Sequence, residues 1–236
     1  MDRQSLSKLN EERRARRAAI LVTDLVDGSD RVVSEGDRVP GELGDALATA
    51  FRSGKSGMVE ADGRSLFLTV QLPPPRLVVV GAVHISQALA PMAKIAGFDV
   101  EIIDPRTAFA TPERFADVTL HAEWPQDVLK ARPLDAFTAL AAVTHDPKID
   151  DFPLKAALEA GCFYVGALGS RKTHGRRVER LLGLGLAQSA IDRIQAPIGL
   201  DIAAASPAEI AVAVQAQVIQ ALRTRGIEAR AESAAA

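Results

Sequence analysis

The stretch RLVVVGAVH, residues 76–84, decides the fold of this chain. Leu77 to Val80 is an unbroken apolar run rich in β-branched residues, which is typical of a central parallel strand covered on both faces, and Gly81 ends it. The next acid at a strand end is Asp104, 23 residues after Gly81, which is the approximate spacing of a Rossmann βαβ unit. The stretch therefore predicts the first strand of a parallel sheet.

The turn after this strand argues against a dinucleotide fingerprint. In the pattern G-x-G-x-x-G/A, the second glycine would stand where this chain has Val83, and the third where it has Ser86. A Cβ at Val83 would crowd a pyrophosphate lying against the backbone. The residues therefore indicate a Rossmann-like fold more strongly than dinucleotide binding.

Beyond this strand, strand patterns alternate with helical patterns. Further strands are predicted at residues 99–104, 118–121, 137–144 and 162–165. Helices are predicted from about Gln87 to 96, where Pro91 would fall close to the first turn, and at 126–130, 151–160, 171–184, 188–193 and 207–225. This alternation predicts an α/β fold with a Rossmann-like, doubly wound parallel sheet. If its strand order is 3-2-1-4-5, the carboxyl ends of the strands converge on one crevice.

A smaller N-terminal α/β domain is predicted over residues 1–72. It begins with a loosely docked, charged helix at 1–17 and continues with strands at 18–26 and 31–33, a helix at 41–52 and a hairpin at 57–72. Prolines at 73–75 form a stiff linker and mark a domain boundary. The Rossmann-like domain then covers 76–226, and residues 227–236 are expected to form a frayed tail.

The composition limits the possible partners and locations. The 236 residues are 47% hydrophobic, so a substantial core can form, and a formal charge of −2 provides no general attraction to nucleic acid or to a membrane surface. Cys162 is the only cysteine, which excludes an internal disulfide. The N-terminus carries no apolar leader-like segment, so we expect a cytoplasmic protein.

Ligands of a doubly wound sheet bind outside the carboxyl ends of its strands, at the point where the strand order reverses. Candidate cofactor-binding residues follow four of the predicted strands: Gly81 and His84; Asp104 and Arg106; Thr144, His145 and Asp146; Gly166, Gly169, Ser170 and Arg171. We expect these four sets to line one crevice. His145 and Asp146 suit a proton-transfer pair, a ligand contact, a metal site or an ordinary hydrogen-bonded strand end.

Two segments near the C-terminus add to this site. In GALGSRKTHGRR, residues 166–177, two glycines open a turn, Ser170 can cap a helix and four cations follow, which favours an anion site over a simple capped helix. In APIGLDI, residues 196–202, Gly199 permits a tight backbone, and Asp201 is either a buried or ligand-facing carboxylate or an acceptor of backbone N–H bonds.

No catalytic residue is assigned, because no Ser-His-Asp order, nucleophile elbow or P-loop is present in the sequence. His84, His145 and His174 would suit a divalent metal by composition, but their spacing matches no compact motif, so no metal site is predicted. Cys162 is expected to be a buried structural thiol.

Six segments in this order resemble the XdhC/CoxI family of xanthine dehydrogenase accessory factors: GAVH, VEIIDPRTAFATPERF, VTHDPKID, FYVGALGSRKTH, PIGLDI and SPAEIAVAV. The resemblance implies a maturation chaperone rather than an enzyme. Its cargo would be molybdenum cofactor (molybdopterin), protected and delivered to a molybdenum hydroxylase of the xanthine or carbon monoxide dehydrogenase type. The family segments match the candidate residues above, with Pro197 to Ile202 as the PIGLDI loop, and we expect the pterin phosphate near Ser170 and Arg171.

The resemblance also implies partners. These are the apo-form of a molybdenum hydroxylase, together with either a cysteine desulfurase or a second XdhC-type subunit, and homodimerisation is a further family inference. The residues by themselves leave two other functions open. One is an NAD(P)-dependent oxidoreductase, in which Asp104 holds the ribose or Arg106 a 2′-phosphate. The other is a regulatory nucleotide-binding module without chemistry.

Overall fold

The computed structural model describes residues 2–225, and the tail predicted at 227–236 lies outside them. The described residues divide into two compact units, residues 2–73 with 223–225, and residues 74–222. None of the described helices combines the length and the hydropathy that a bilayer-spanning segment requires.

The N-terminal unit is a four-stranded antiparallel sheet with two helices. Its elements are α1 (Arg3–Arg14), β1 (Ala19–Asp24), β2 (Asp30–Ser34), α2 (Gly41–Ser53), β3 (Gly57–Ala61) and β4 (Arg64–Gln71), and the strand order is β2-β1-β4-β3. Ile20 of β1 packs in a cluster with Leu43 and Leu47 of α2, whereas Leu21 packs with Leu9 of α1. Since successive strand side chains point to opposite faces, the apolar run of β1 is buried by a helix on each side.

The C-terminal unit alternates strands and helices. Its elements are β5 (Arg76–Val80), α3 (His84–Ile95), β6 (Asp99–Ile103), β7 (Thr119–His121), α4 (Pro125–Ala131), β8 (Thr138–Ala142), α5 (Pro147–Glu159), β9 (Tyr164–Ala167), α6 (Arg171–Gly183), α7 (Gln188–Ile191), β10 (Ile194–Gln195) and α8 (Pro207–Thr224). All pairings are parallel, in the order β7-β6-β5-β8-β9-β10. The predicted α/β class with a parallel sheet is confirmed. The observed order is the 3-2-1-4-5 order on which the crevice depends, with β10 as a sixth strand beyond β9.

Strand β5 shows why its sequence is a continuous apolar run. Leu77 and Val79 pack in a cluster with α3 and α8, while Val78 and Val80 pack in a cluster with α4, α5 and α6. All four side chains are fully buried. Helices on both faces remove the need for alternation, which is the signature of a doubly wound sheet.

Two helices begin earlier than predicted. Helix α3 starts at His84 rather than near Gln87, with Pro91 inside it. Because Pro91 is exposed, we infer that the carbonyl that loses its helical partner lies where water can bond it. Helix α5 starts at Pro147 rather than at 151, because the Asp146 side chain accepts the Lys148 N–H at 2.9 Å and caps the helix there.

The last two strands also differ from the predictions. The strand expected at 162–165 begins at Tyr164, because the Cys162 N–H still donates to the Ala157 carbonyl at the end of α5. Strand β10 was missed, and its first residue pairs with Val165. Two residues are too few for a periodic pattern, so only pairing with β9 defines this strand.

A buried acid in β6 is neutralised by two arginines. Arg132 Nε and Nη2 each donate to the Glu101 carboxylate at 2.9 Å, and Arg76 Nε lies 3.2 Å from Glu101 Oε1. Burial raises the pKa of Glu101, but Arg132, Arg76 and His121 together outweigh that effect and hold the pKa below its usual value. Glu101 is therefore an ion inside the sheet.

We expect Glu101→Gln to destabilise the C-terminal unit by about 3 kcal/mol, because it leaves the nearly buried Arg76 guanidinium with only the Asp135 carboxylate, 3.9 Å away, as counter-charge. Urea unfolding followed by fluorescence of Trp124, the only tryptophan, would measure this loss. The control is Glu159→Gln, which removes an exposed i,i+4 pair with Lys155 and should cost less than about 1 kcal/mol. Equal losses in the two variants would contradict the role given to Glu101.

Candidate functional site

The loops after β5 and β8 meet where the strand order reverses. A Cβ on Gly81 would lie 2.8 Å from Thr144 Cγ2 and 3.1 Å from Val143 Cγ2, and Gly81 has a φ of +124°. A residue with a side chain would both clash and be strained at this position. Glycine is therefore what lets the two loops approach each other at the carboxyl ends of the central strands.

The Asp104 carboxylate, fully buried after β6, accepts four hydrogen bonds. Its Oδ2 accepts from the Ala82 N–H and from Arg106 Nη2, both at 2.7 Å, and its Oδ1 accepts from the Arg106 N–H and Nε, both at 2.9 Å. Burial raises the pKa of Asp104, but these hydrogen bonds outweigh it and hold the pKa below its usual value. Asp104 therefore ties the loop after β5 to the end of β6.

This arrangement bears on the nicotinamide alternative. A carboxylate has about four lone-pair sites, and all four of those on Asp104 are used within the protein, so none is left for a ribose hydroxyl. Arg106 is held bidentately by the same carboxylate and lies over the Phe109 ring, 4.6 Å from its centroid. Both residues shape the crevice wall rather than present free groups to a nucleotide.

The start of α3 adds little charge to the crevice. Val83 precedes the helix without a side-chain cap, and Ser86 Oγ donates to the Gly81 carbonyl at 2.5 Å. His84 is exposed, with Nδ1 3.2 Å from Gln87 Oε1. His84 is therefore at the position predicted for it, on the rim that follows β5.

Thr144 organises the loop after β8. Its Oγ1 accepts the Asp146 N–H at 3.0 Å and donates to Asp150 Oδ1 at 2.7 Å. His145 is exposed and has a φ of +65°, a left-handed conformation that is uncommon for residues other than glycine. Asp146 caps α5, so the hydrogen-bonded strand end is the interpretation that the geometry of this segment matches.

Strand β9 and the turn after it also need their glycines, Gly166 within the strand and Gly169 in the turn. A Cβ on Gly166 would lie 2.5 Å from the Tyr164 hydroxyl, and Gly169 has a φ of +137°. Ser170 caps α6 by accepting the Thr173 N–H at 3.2 Å. Arg171 is exposed at the first position of that helix.

The loop 196–202 is fixed from both sides. Gln217 Oε1 accepts the Gly199 N–H at 2.8 Å and the Tyr164 hydroxyl at 2.7 Å. A Cβ on Gly199 would lie 3.0 Å from Ala213 Cβ, and its φ is +95°. Asp201 is exposed, so the interpretation of this acid as a buried carboxylate is wrong.

Two buried charged residues in this region were not named as candidate site residues, although Arg177 is one of the four cations in the predicted anion segment 166–177. Asp150 of α5 is 1% exposed and Arg177 of α6 is 2% exposed, and both line a cavity of about 180 Å³ with His145 and Thr173. Burial raises the pKa of Asp150 to about 6, against the opposing effects of the Thr144 hydroxyl and the Arg177 charge.

A signal for both residues exists in the sequence. Asp150 stands four residues before the buried Leu154, and Arg177 four residues before the buried Leu181, so each falls on the apolar face of its helix. A charge on an apolar helix face is rarely left without a structural or functional reason.

The two remaining candidates are a metal site and the Cys162 thiol. Among residues 2–225, no three His, Cys, Asp or Glu side chains come together in a way that could hold a metal ion. Cys162 is fully buried and burial raises its pKa to about 12, so the expected buried structural thiol is confirmed.

Comparison with known proteins identifies the family. The family model of the XdhC Rossmann domain matches residues 77–218, which include every loop of the crevice, so this chain belongs to that family. The resemblance carried by the six sequence segments is thereby confirmed. The family defines the class of the fold and not, by itself, the cargo or the partner.

Two curated relatives and one solved structure are similar to this chain. The molybdenum cofactor insertion chaperone PaoD of Escherichia coli K12 is 32% identical over 146 residues, 62% of this chain and 40% of that protein. A probable subunit of xanthine dehydrogenase from Bacillus subtilis 168 is 32% identical over 158 residues, 66% of this chain and 46% of that protein. A crystal structure named as a xanthine dehydrogenase from Bacillus halodurans aligns with a TM-score of 0.61 and 25% identity, over 94% of this chain and 65% of that one. This chain therefore spans less than half the length of either curated relative.

We expect Gly81→Ala to destabilise the C-terminal unit by about 2–3 kcal/mol, because its Cβ would overlap Thr144 and its φ would be strained. Gly175→Ala is the control: it lies within α6 with nothing within 4 Å of the added Cβ, and should stabilise by about 0.5–1 kcal/mol. Thermal unfolding of the two variants would measure both effects. A neutral Gly81→Ala would show that the two loops do not need to approach each other this closely.

We expect Asp150→Asn to stabilise the protein near neutral pH. The folded pKa of about 6 lies above the unfolded value of 3.8, so the folded protein binds more protons between these values, and stability present at low pH is lost as pH rises through 6. The amide mimics the protonated acid, so the gain should be about 2–3 kcal/mol at pH 7.5 and close to zero below about pH 4.

Urea unfolding of the variant and the wild type at several pH values would test this dependence. Asp104→Asn is the matched control with the opposite sign, because the lowered pKa of Asp104 means that its carboxylate stabilises the fold near neutral pH and loses that effect as pH falls. A gain for Asp150→Asn that does not change with pH would contradict the raised pKa.

Proposed function

We propose that this protein is an accessory factor that binds molybdenum cofactor as cargo, protects it and delivers it to a molybdenum hydroxylase of the xanthine or carbon monoxide dehydrogenase type. The observation that carries the proposal is that the XdhC family match extends over the whole ligand-binding edge of the Rossmann unit. Relatives named for molybdenum cofactor insertion and for xanthine dehydrogenase support it.

The crevice offers the chemistry that a pterin cargo requires. Around the switch point, glycines allow the crevice loops to approach their neighbours closely. Helix α6, which follows β9, begins beside the crevice, where its first N–H groups can bind an anion. We propose that the cargo contacts the rim residues, with Asp104 and Arg106 acting through the loop they hold. The proposed rim set is Gly81, His84, Thr144, His145, Asp146, Gly166, Gly169, Ser170, Arg171, Gly199 and Asp201.

The NAD(P)-dependent alternative is less well supported by this geometry. It requires the acid after β6 to accept a ribose hydroxyl, and the four hydrogen bonds already made to Asp104 occupy that acceptor. Val83 stands in the crevice loop where the fingerprint has glycine. A nucleotide-binding module without chemistry would meet the same two obstacles if it used the dinucleotide mode.

The partners of this protein are likewise proposals. The apo-form of a hydroxylase would receive the cofactor. A second XdhC-type subunit stays a prediction. A cysteine desulfurase partner, a homodimer and a cytoplasmic location stay predictions.

The test is an anaerobic titration of the purified protein with molybdenum cofactor and, separately, with NAD(H) and NADP(H), followed by gel filtration. We expect retained molybdopterin and no retained nicotinamide nucleotide. Thr144→Val, at the carboxyl end of β8, should weaken retention by about three- to tenfold, because the crevice loop loses the hydrogen bonds that Thr144 Oγ1 makes with the Asp146 N–H and with Asp150. Thr119→Val, exposed at the amino end of β7, should leave retention unchanged. Retention of nicotinamide alone would refute the accessory role.

A further inference from the structure

Arg177 is a buried cation with unused donors. Its side chain is 2% exposed, its Nη2 donates to the Leu168 carbonyl at 2.9 Å, and its Nε and Nη1 have no hydrogen-bond partner among the described residues. Leaving donors of a buried charged group unpaired is costly, and native proteins seldom do so without a reason. Burial lowers the pKa of the guanidinium, which expresses the same cost.

Asp150 lines the same cavity and also keeps an unused atom. Its Oδ1 accepts from Thr144, but its Oδ2 has no partner among the described residues. In the same part of the chain, no ion pair within 4.0 Å joins Asp150 to Arg177, although they carry opposite charge and line one space. A buried acid and a buried base that share a cavity without pairing leave room for a group between them.

The lining of the cavity selects an anionic group. Its other basic side chains are Arg176, Arg180 and His145, and Arg180 is already held by Asp151 at 2.6 and 3.0 Å. Arg176 and Arg177 therefore outnumber Asp150. The space of about 180 Å³ exceeds the roughly 30 Å³ share of one liquid water several times over, so a ligand group of several heavy atoms fits.

We infer that this cavity, between α5 and α6, is the seat of a phosphate monoester held by Arg177 and Arg176, with Thr173 as a hydroxyl partner and Asp150 sharing a proton with the phosphate. The unpaired Nη1 of Arg177 can donate to one phosphate oxygen, and the Arg176 guanidinium can donate to another. The second proton of a phosphate monoester dissociates near pH 6, so one proton can be shared between it and a carboxyl. If the proposed function holds, the monoester is the phosphate of the pterin cargo.

This assignment moves the phosphate away from the position expected from the sequence. Arg171 lies exposed at the start of α6 and does not line the cavity, whereas Arg176 and Arg177 do. Lys172 and Arg176 are both exposed cations on the same helix, and only Arg176 lines the cavity, so they form a matched pair.

The experiment is calorimetric titration of the full chain with inorganic phosphate, for the wild type and for Arg177→Gln, Arg176→Gln and Lys172→Gln. Loss of the buried cation and its free donor should weaken phosphate binding by at least about tenfold in Arg177→Gln, and Arg176→Gln should weaken it by about threefold. Lys172→Gln should bind as the wild type does, because Lys172 does not line the cavity. If Arg177→Gln does not fold, as judged by circular dichroism, the pair Arg176→Gln and Lys172→Gln decides the question.

The inference is overturned if the wild type binds phosphate more weakly than about 10 mM, or if Arg176→Gln binds phosphate as tightly as Lys172→Gln does. A second series with molybdenum cofactor and with a nucleoside monophosphate separates this inference from the proposed function. Cofactor retained equally by the wild type and by folded Arg177→Gln would overturn the phosphate seat and leave the accessory role intact. Arg177-dependent phosphate binding without cofactor retention would establish the seat and refute the accessory role.

Discussion

The crevice depends on the buried carboxylate of Asp104. It accepts from the Ala82 N–H and from three donors of Arg106, so one side chain holds the loop after β5 against the end of β6. Gly81 can then lie against Thr144 of the loop after β8. The switch point of the sheet is thus closed by an ion that is fully satisfied within the protein, which leaves the ligand to be bound by other groups.

Three buried acids in the C-terminal unit have different hydrogen-bond and charge partners. This difference distinguishes the acids that stabilise the fold from the one that could bind a ligand. Glu101 faces two arginines and Asp104 is surrounded by donors, so the pKa of each is lowered and each is a permanent ion. Asp150 accepts a hydrogen bond from the Thr144 hydroxyl, but burial still raises its pKa to about 6. Since the protein itself compensates the first two, only Asp150 among these three has a chemical need that a ligand could meet.

The predictions from sequence succeeded where the local signal was strong and failed where it was weak. The run at 77–80 and the spacing to Asp104 were enough for the parallel sheet, because a strand buried on both faces has few other patterns. The start of α3 was predicted near Gln87 and lies at His84, because an exposed proline such as Pro91 can lie inside a helix. Strand β10 was missed because two residues carry no period.

The sequence by itself determined the fold class, the family and the set of loops that form the crevice, since all of these depend on residue types at local spacings. Only the tertiary structure decided which charges in those loops are free. Asp104 was interpreted as a ligand contact and is used internally, whereas Asp150 and Arg177 meet across a cavity although they are far apart in the chain. Whether a buried charge is paired depends on which helices pack side by side, and no local spacing records that.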